Sequence, residues 1–346
     1  MKILIGNWKA YTIVLTMILL ITNGLWIIRF VDFKPSDHLE YEVEGLEEEE
    51  YVWIGTMIDN PMYIAHDRKA LLKFAQDFDV KISIEGPRTY DIPGQIATIM
   101  EVIKRRPSGI MVLGMEQSLS PAVNAAIEAG IPTITVDADL VNSKRIAHVG
   151  SDWYSIGVKQ AEAMVKLVGG KGKIALLGIV GADNMQQGFD GFRSVIADYP
   201  DIYIIGEYDD MADIEEAKRI TNNLIKTHPD LAGIAGFDTN SGPGIGAAIV
   251  EMEKVGQIIV TCVDIEPQHI ELLKDGVVHK LIGQKRELFT YYGATLLYDY
   301  NHKFLKETAD YFKNGVSYIP YVVDTGLIEV DINNVDYIMN DNQQRR

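Results

Sequence analysis

The residues with the most evident chemical potential lie in DTNSGPGIGAA, residues 238–248. Gly242, Gly244 and Ala247 satisfy the G-x-G-x-x-A spacing of a dinucleotide site, and Asp264 follows where an acid for the ribose belongs. In that fingerprint the glycines leave the strand directly, so that the pyrophosphate meets a helix N-terminus. Here Asp238, Thr239, Asn240 and Ser241 intervene first, and their side chains suit hydrogen bonding to an uncharged polar ligand. A nicotinamide-dependent oxidoreductase is therefore a remote alternative, and no cofactor is expected.

Other chemistries find less support. The seven histidines are scattered without i, i+4 pairing or a partner cysteine, so no metal site is expected. The sole cysteine, Cys262, sits inside the apolar run IIVTCVD and reads as a small buried hydrophobe. No G-x-S-x-G, H-E-x-x-H or Walker pattern occurs; the GGKGK run at residues 169–173 lacks the upstream glycine and the following Ser or Thr. Asp137 and Asp264 would suit glycoside hydrolysis as a carboxyl pair. The preferred reading makes them two hydroxyl acceptors in a binding site, and the chain no enzyme.

The elements that must position these residues follow from composition and pattern. A chain of 346 residues, 47% of them hydrophobic, can form about two cores. Its net charge of −17 argues against a nucleic-acid partner, because phosphate neutralisation needs Lys and Arg. Residues 10–28 carry no charge and are long enough for a marginal span of about 30 Å. Lys2 and Lys9 precede them and an acidic stretch follows, which places the rest of the chain outside the cytoplasm. Residues 1–30 are thus expected to be a membrane anchor or uncleaved signal segment. Residues 31–50, ending in EGLEEEE, are expected to be a solvated acidic spacer.

From Tyr51 the chain alternates strand and helix. Strands are expected at YVWIGTMI, VKISIE, GIMVLG, TITVDAD and RIAHVG, then, after Trp153, at KIALLGI, IYIIGEY, LAGIAGF, IIVTCVD and HKLIGQ. Two such series imply an α/β chain of two doubly wound parallel-sheet lobes. Open parallel sheets bind ligands beyond the carboxyl ends of their strands. Those ends here carry Asp, Asn, Gln and aromatic residues, with few cations. Such groups suit a neutral polyhydroxylated ligand, the carboxyls and amides taking hydroxyls and the rings packing on C–H faces.

Taken in order, IDNPMY, VDADLVNSKRIAHVGSDW, GFDGF, CVDIEPQHIELLKDG, IGQ at 282–284 and VDTGLIEVDINNVD make residues 51–338 resemble the periplasmic binding protein type 1 family, the ribose-binding-like sugar-binding proteins. The resemblance implies two lobes joined by three crossovers and closing on a small sugar. The crossovers fall near residues 150–153, 283–286 and 319–324. Lobe 1 is then 51–151 plus 285–319, including a long helix at about 287–313, and lobe 2 is 152–284 plus 320–340. It further implies ligand contacts from Asn60, Tyr63, Asp137, Ser151, Asn240 or Asp238, Asp264 and Gln284. Two arginines usual in the family are absent, their places taken by Ala138 and Gly188, and Val263 replaces an aromatic. The expected compensating contacts are Arg88, Tyr90, Trp153 or the two glutamines Gln186 and Gln187. The expected function is that of a monomeric, extracytoplasmic, membrane-tethered carbohydrate-binding protein. It presents its sugar or polyol to the permease of an ABC importer or, alternatively, reports it to a sensor kinase or chemoreceptor.

Overall fold

Strand propensity, glycine spacing and capping residues divide the chain much as its pattern implies. The computed structural model describes residues 46–302, 317 and 319–338. The expected membrane segment and most of the spacer lie outside them, and no helix among the described residues is long and apolar enough to cross a membrane.

The first series runs β1 (Leu46–Ile54), α1 (Pro61–Ala65), α2 (Asp67–Phe78), β2 (Val80–Glu85), α3 (Ile92–Arg105), β3 (Gly109–Leu113), α4 (Ser120–Glu128), β4 (Thr133–Asp137) and β5 (His148–Gly150). The second runs α5 (Trp153–Val168), β6 (Gly172–Gly178), α6 (Asp183–Ile196), β7 (Ile202–Asp209), α7 (Ile214–Thr227), β8 (Leu231–Gly236), α8 (Ser241–Glu251), β9 (Ile259–Val263), α9 (Pro267–Lys274) and β10 (Lys280–Gln284). Then come α10 (Arg286–His302), β11 (Val322–Asp324) and β12 (Leu327–Val330). The strands form two six-stranded sheets, ordered β11-β5-β4-β3-β1-β2 and β12-β10-β9-β8-β6-β7. All pairings are parallel except β10 with β12. Strands such as β3 and β4 are buried at every position, as sheets covered on both faces require.

Two boundaries differ from expectation. The acidic run does not end before the sheet: Glu49 and Glu50 lie within β1. Glu50 is tolerated there because the Ser83 hydroxyl donates to it at 2.5 Å and Lys81 Nζ lies at 3.6 Å. The third crossover also comes later than residues 319–324. Val322–Asp324 pair with β5 in the first sheet, so the chain changes lobe at Thr325 and Gly326, where Gly326 supplies a φ of 73°. Thr325 N–H donates to the Gly150 carbonyl at 2.9 Å, tying this crossover to the first one, at residues 151–152. The second is at Lys285, after which α10 packs on α2 and on the first sheet. Residues 303–313 of the expected long helix lie outside the described residues.

The GFDGF motif has a packing explanation. A Cβ on Gly157 of α5 would lie 1.8 Å from the Gly188 carbonyl oxygen, and one on Gly191 2.0 Å from that of Tyr154. Backbone meets backbone between α5 and α6 at those two glycines, whereas a Cβ on Gly188 would press on the Phe237 ring at 2.9 Å, so a side chain at 188 would have to displace that ring. Phe189 and Phe192, from the same motif, meet Phe237 with ring centroids 4.8 and 6.2 Å apart. The glycines of α8 act likewise. A Cβ on Gly244 would meet Ala217 and the Ile214 carbonyl at 2.5 Å, and one on Gly242 would meet His269 at 2.8 Å. They let α8 pack close to its neighbours. Cys262 is fully buried in the second core, and burial pushes its thiol pKa up.

Candidate sugar-binding cleft

The strand ends of the two sheets converge on one cavity of about 40 Å³. A water needs about 10–15 Å³ on this measure, so the space suits one small ligand and not an oligosaccharide. The first lobe contributes Asn60, Tyr63 and Asp137, the second Trp153, Asn184, Asp238, Thr239, Asn240 and Asp264, and the second crossover Gln284 and Arg286. Met57, Met62, Met115, Met185 and Ile179 supply apolar wall.

Asp137 closes β4 and Asp264 follows β9, and these strands hold the third place in their respective sheets. Both residues adopt left-handed backbone, φ 67° and 74°. For a residue other than glycine this costs on the order of 1–2 kcal/mol. The bend turns each carboxyl off the strand end. Asp264 Oδ2 accepts from the Thr239 hydroxyl at 2.6 Å and Oδ1 from the Gln284 amide at 3.2 Å. Asp137 Oδ2 accepts from Arg286 Nη2 at 2.7 Å.

Arg286 is the cleft residue that sequence reasoning missed. It is 4% exposed, 3.7 Å from Asp67 through Nε, and its guanidinium lies 5.3 Å from the Tyr63 ring centre. Burial alone would lower its pKa, but Asp137 and then Asp67 hold it well above the ordinary value. Asp67 behind it is pushed up to about 7, chiefly by burial. A signal was present in the sequence. Arg286 opens a helix, where the macrodipole disfavours a cation, so its presence there calls for an acidic partner.

Among the described residues, several buried polar atoms here have no hydrogen-bond partner: Asp137 Oδ1, Asn184 Oδ1, Gln284 Oε1, the Trp153 indole N–H and Arg286 Nε. Buried polar groups are paired in the great majority of cases, so a cluster of exceptions requires an explanation.

The other expected residues divide. Asn60 lines the cavity and also caps α1, its Oδ1 accepting from Met62 N–H at 2.9 Å. Tyr63 is buried with its ring edge toward Trp53, and burial, then the negative charge of Asp137, raises its pKa. Asp238 lines the cavity, but its Oδ1 accepts from the N–H groups of Asn240 and Ser241 at the start of α8. The helix terminus a dinucleotide would need is thus occupied by the chain's own carboxyl. The Ser241 hydroxyl lies 2.6 Å from both Asp238 Oδ2 and Asp210 Oδ2. Burial and then the Asp238 charge push the Asp210 pKa up. Asn240 gives its amide N–H to the Ala212 carbonyl.

Four of the expected contacts lie elsewhere. Gln186 is exposed and donates to Asp190, away from the cavity. Arg88 is exposed on Asp59 at 2.6 Å. Ser151 is buried at the first crossover, does not line the cavity, and has no partner for its hydroxyl among the described residues. Tyr90 donates to Glu116 at 2.7 Å and is likewise outside the lining. The acid at 139, beside the expected arginine position, pairs with Arg145.

The lobes also touch at the rim. His66, between α1 and α2, places Nε2 2.7 Å from Glu266 of the second lobe and Nδ1 2.7 Å from Glu287 of α10. Burial would lower its pKa, but the hydrogen bonds to Glu266 and Glu287 raise it to about 10. Gln117 N–H donates to Asp183 across the same gap at 3.2 Å.

Two doubly wound lobes, three crossovers and a shared polar cleft define a hinged receptor for a small solute. A family model described as periplasmic binding protein domain matches residues 51–303, and the chain belongs to that family, among its type 1 sugar-binding members. The family is extracytoplasmic and non-enzymatic. The chain is 23% identical over 285 residues to the ribose import binding protein of Bacillus subtilis, covering 81% of this chain and 89% of that protein. It is 25% identical over 208 residues to the xylitol-binding protein of Mycolicibacterium smegmatis, a match spanning 59% of each. The crystal structure of a sugar-binding protein of a sugar ABC transporter from Bacillus halodurans superposes with a TM-score of 0.74 at 27% identity, covering 84% of this chain and 99% of that one.

Proposed function

We propose that this protein closes its lobes over one neutral monosaccharide or polyol and presents it to the permease of an ABC importer. The observation that carries this reading is the convergence of unpartnered buried atoms on one cavity. Three are acceptors (on Asp137, Asn184 and Gln284) and two are donors, the Trp153 indole N–H and Arg286 Nε. A polyol meets both demands because each hydroxyl donates and accepts. The methionine wall takes the C–H surface, and thioether side chains adapt to varied shapes. Relatives named for ribose and xylitol support ligands of this size.

Binding to the closed form alone shifts the lobes toward it, since only that form presents both half-sites. On this reading residues 51–151 with 285–324 move against 152–284 with 327–338, and residues 10–28 tether the protein to the outer face of the membrane. That charge-free run also favours a second reading, in which a membrane sensor kinase reads the closed form. Thermal-shift measurements on the purified protein with pentoses, hexoses and pentitols test the ligand class. At least one neutral compound is expected to raise the melting temperature by mass action. No shift with any of them would refute the reading.

A further inference from the structure

We propose that Arg286 is a specificity-determining residue, a counter-ion built into the hinge that cancels Asp137 and so restricts the cleft to uncharged ligands. The inference rests on the sugar-binding reading and adds the sign of charge the site accepts. Among the described residues lining the cavity, the acids are Asp137, Asp238 and Asp264, and the one cation is Arg286. Asp238 is committed to the backbone of α8 and to Ser241. Asp264 is held by neutral donors from Thr239 and Gln284. Asp137, 5% exposed, has its ion pair with Arg286 and leaves Oδ1 free for a ligand.

Placement ties the cation to the crossover and to the first-lobe half of the site. Arg286 follows the crossover residue Lys285 directly, and Asp67, Asp137 and the rings of Tyr63 and Phe289 surround its guanidinium. Without Arg286, closure would bring Asp137 and Asp264 into one small cavity with no positive charge of the protein's own. The site would then favour a ligand that carried the charge itself. With Arg286, a cationic ligand meets like charge, and an anionic one meets Asp264 and the free oxygen of Asp137.

The test is calorimetric titration of wild type, R286Q, R286K and the R286Q/D137N double variant with D-ribose, D-xylose, xylitol and D-glucosamine. Wild type is expected to bind a neutral probe and reject D-glucosamine. R286Q should lose about 30-fold or more for that neutral probe, the size expected when a buried ion pair loses one member, and should gain on D-glucosamine. R286K should fall between them. The double variant should regain about fivefold or more over R286Q, because the acid left unpaired is gone. Neutral-probe affinity unchanged in R286Q, or a double variant weaker than R286Q, would overturn the proposal.

If wild type binds none of the four probes, the sugar reading loses its support while the counter-ion remains measurable. Ligand-free melting temperatures should then run wild type highest and R286Q lowest, with the double variant between them. A double variant at or below R286Q overturns the counter-ion in that case as well.

Discussion

Asp137 and Asp264 occupy equivalent places in the two sheets, both at the end of the third strand and both in left-handed backbone. Their surroundings are not equivalent. The first-lobe acid faces a buried guanidinium, the second-lobe acid a hydroxyl and an amide. The fold thus fixes where an acid must stand, and the neighbouring side chains decide how its charge is compensated. Neutral donors hold a carboxyl in place without adding a second buried charge. An ion pair commits two desolvated groups to each other, so that removal of either leaves the other exposed to the full penalty.

This contrast is open to measurement. The largest effect is expected for Asp137→Ala, which leaves Arg286 with Asp67 at 3.7 Å and should cost about 3–5 kcal/mol of folding stability in urea denaturation. Asp264→Ala strands only neutral donors and should cost about 1–2 kcal/mol, while abolishing the ligand-induced thermal shift. Equal destabilisation by the two would remove the distinction.

Next in size is the rim. His66 has its pKa raised to about 10 by Glu266 of the second lobe and Glu287 of α10, with Asp67 beside it in sequence. A raised pKa means that the protonated bridge favours closure fully below the unperturbed value of about 6.5 and that this contribution is lost as pH rises through about 10. Ligand affinity of the wild type should therefore weaken by roughly tenfold between pH 7 and 10, whereas His66→Gln should flatten that profile. A profile identical in the two proteins would show that the bridge plays no part in closure. The smallest effects are expected for Gln186→Ala and Arg88→Ala. Both side chains are exposed outside the cavity, and each change should stay within about 0.5 kcal/mol of stability with ligand affinity unaltered by calorimetry.

All ten strands expected from apolar runs are present; continuous burial, as in β3 and β4, leaves a strong mark on composition, and the edge strand β7 is apolar in pattern though only half-buried. The final strands β11 and β12 were not among the expected strands: their positions are mostly exposed or half-buried and carry little apolar pattern. Strand ends located Asp137, Asp238, Asp264 and Gln284 at the cavity, since topology alone takes them there. The miss at Gln186 was one of helical phase. Asn184, two residues earlier on α6, lines the cavity, and residues two apart do not share a helix face. Arg286 was harder to read, because its partners Asp67 and Asp137 lie far away in sequence and only the folded hinge assembles them.

The chain's one cysteine, Cys262, is fully buried with its thiol held protonated. A maleimide dye should leave the native protein unmarked. Met211, 63% exposed beside the cavity-lining Ala212, then becomes a natural attachment point. Met211→Cys would give a singly labelled molecule without any prior removal of native thiols, and its emission would report, in real time, the arrival and departure of whatever the cleft accepts.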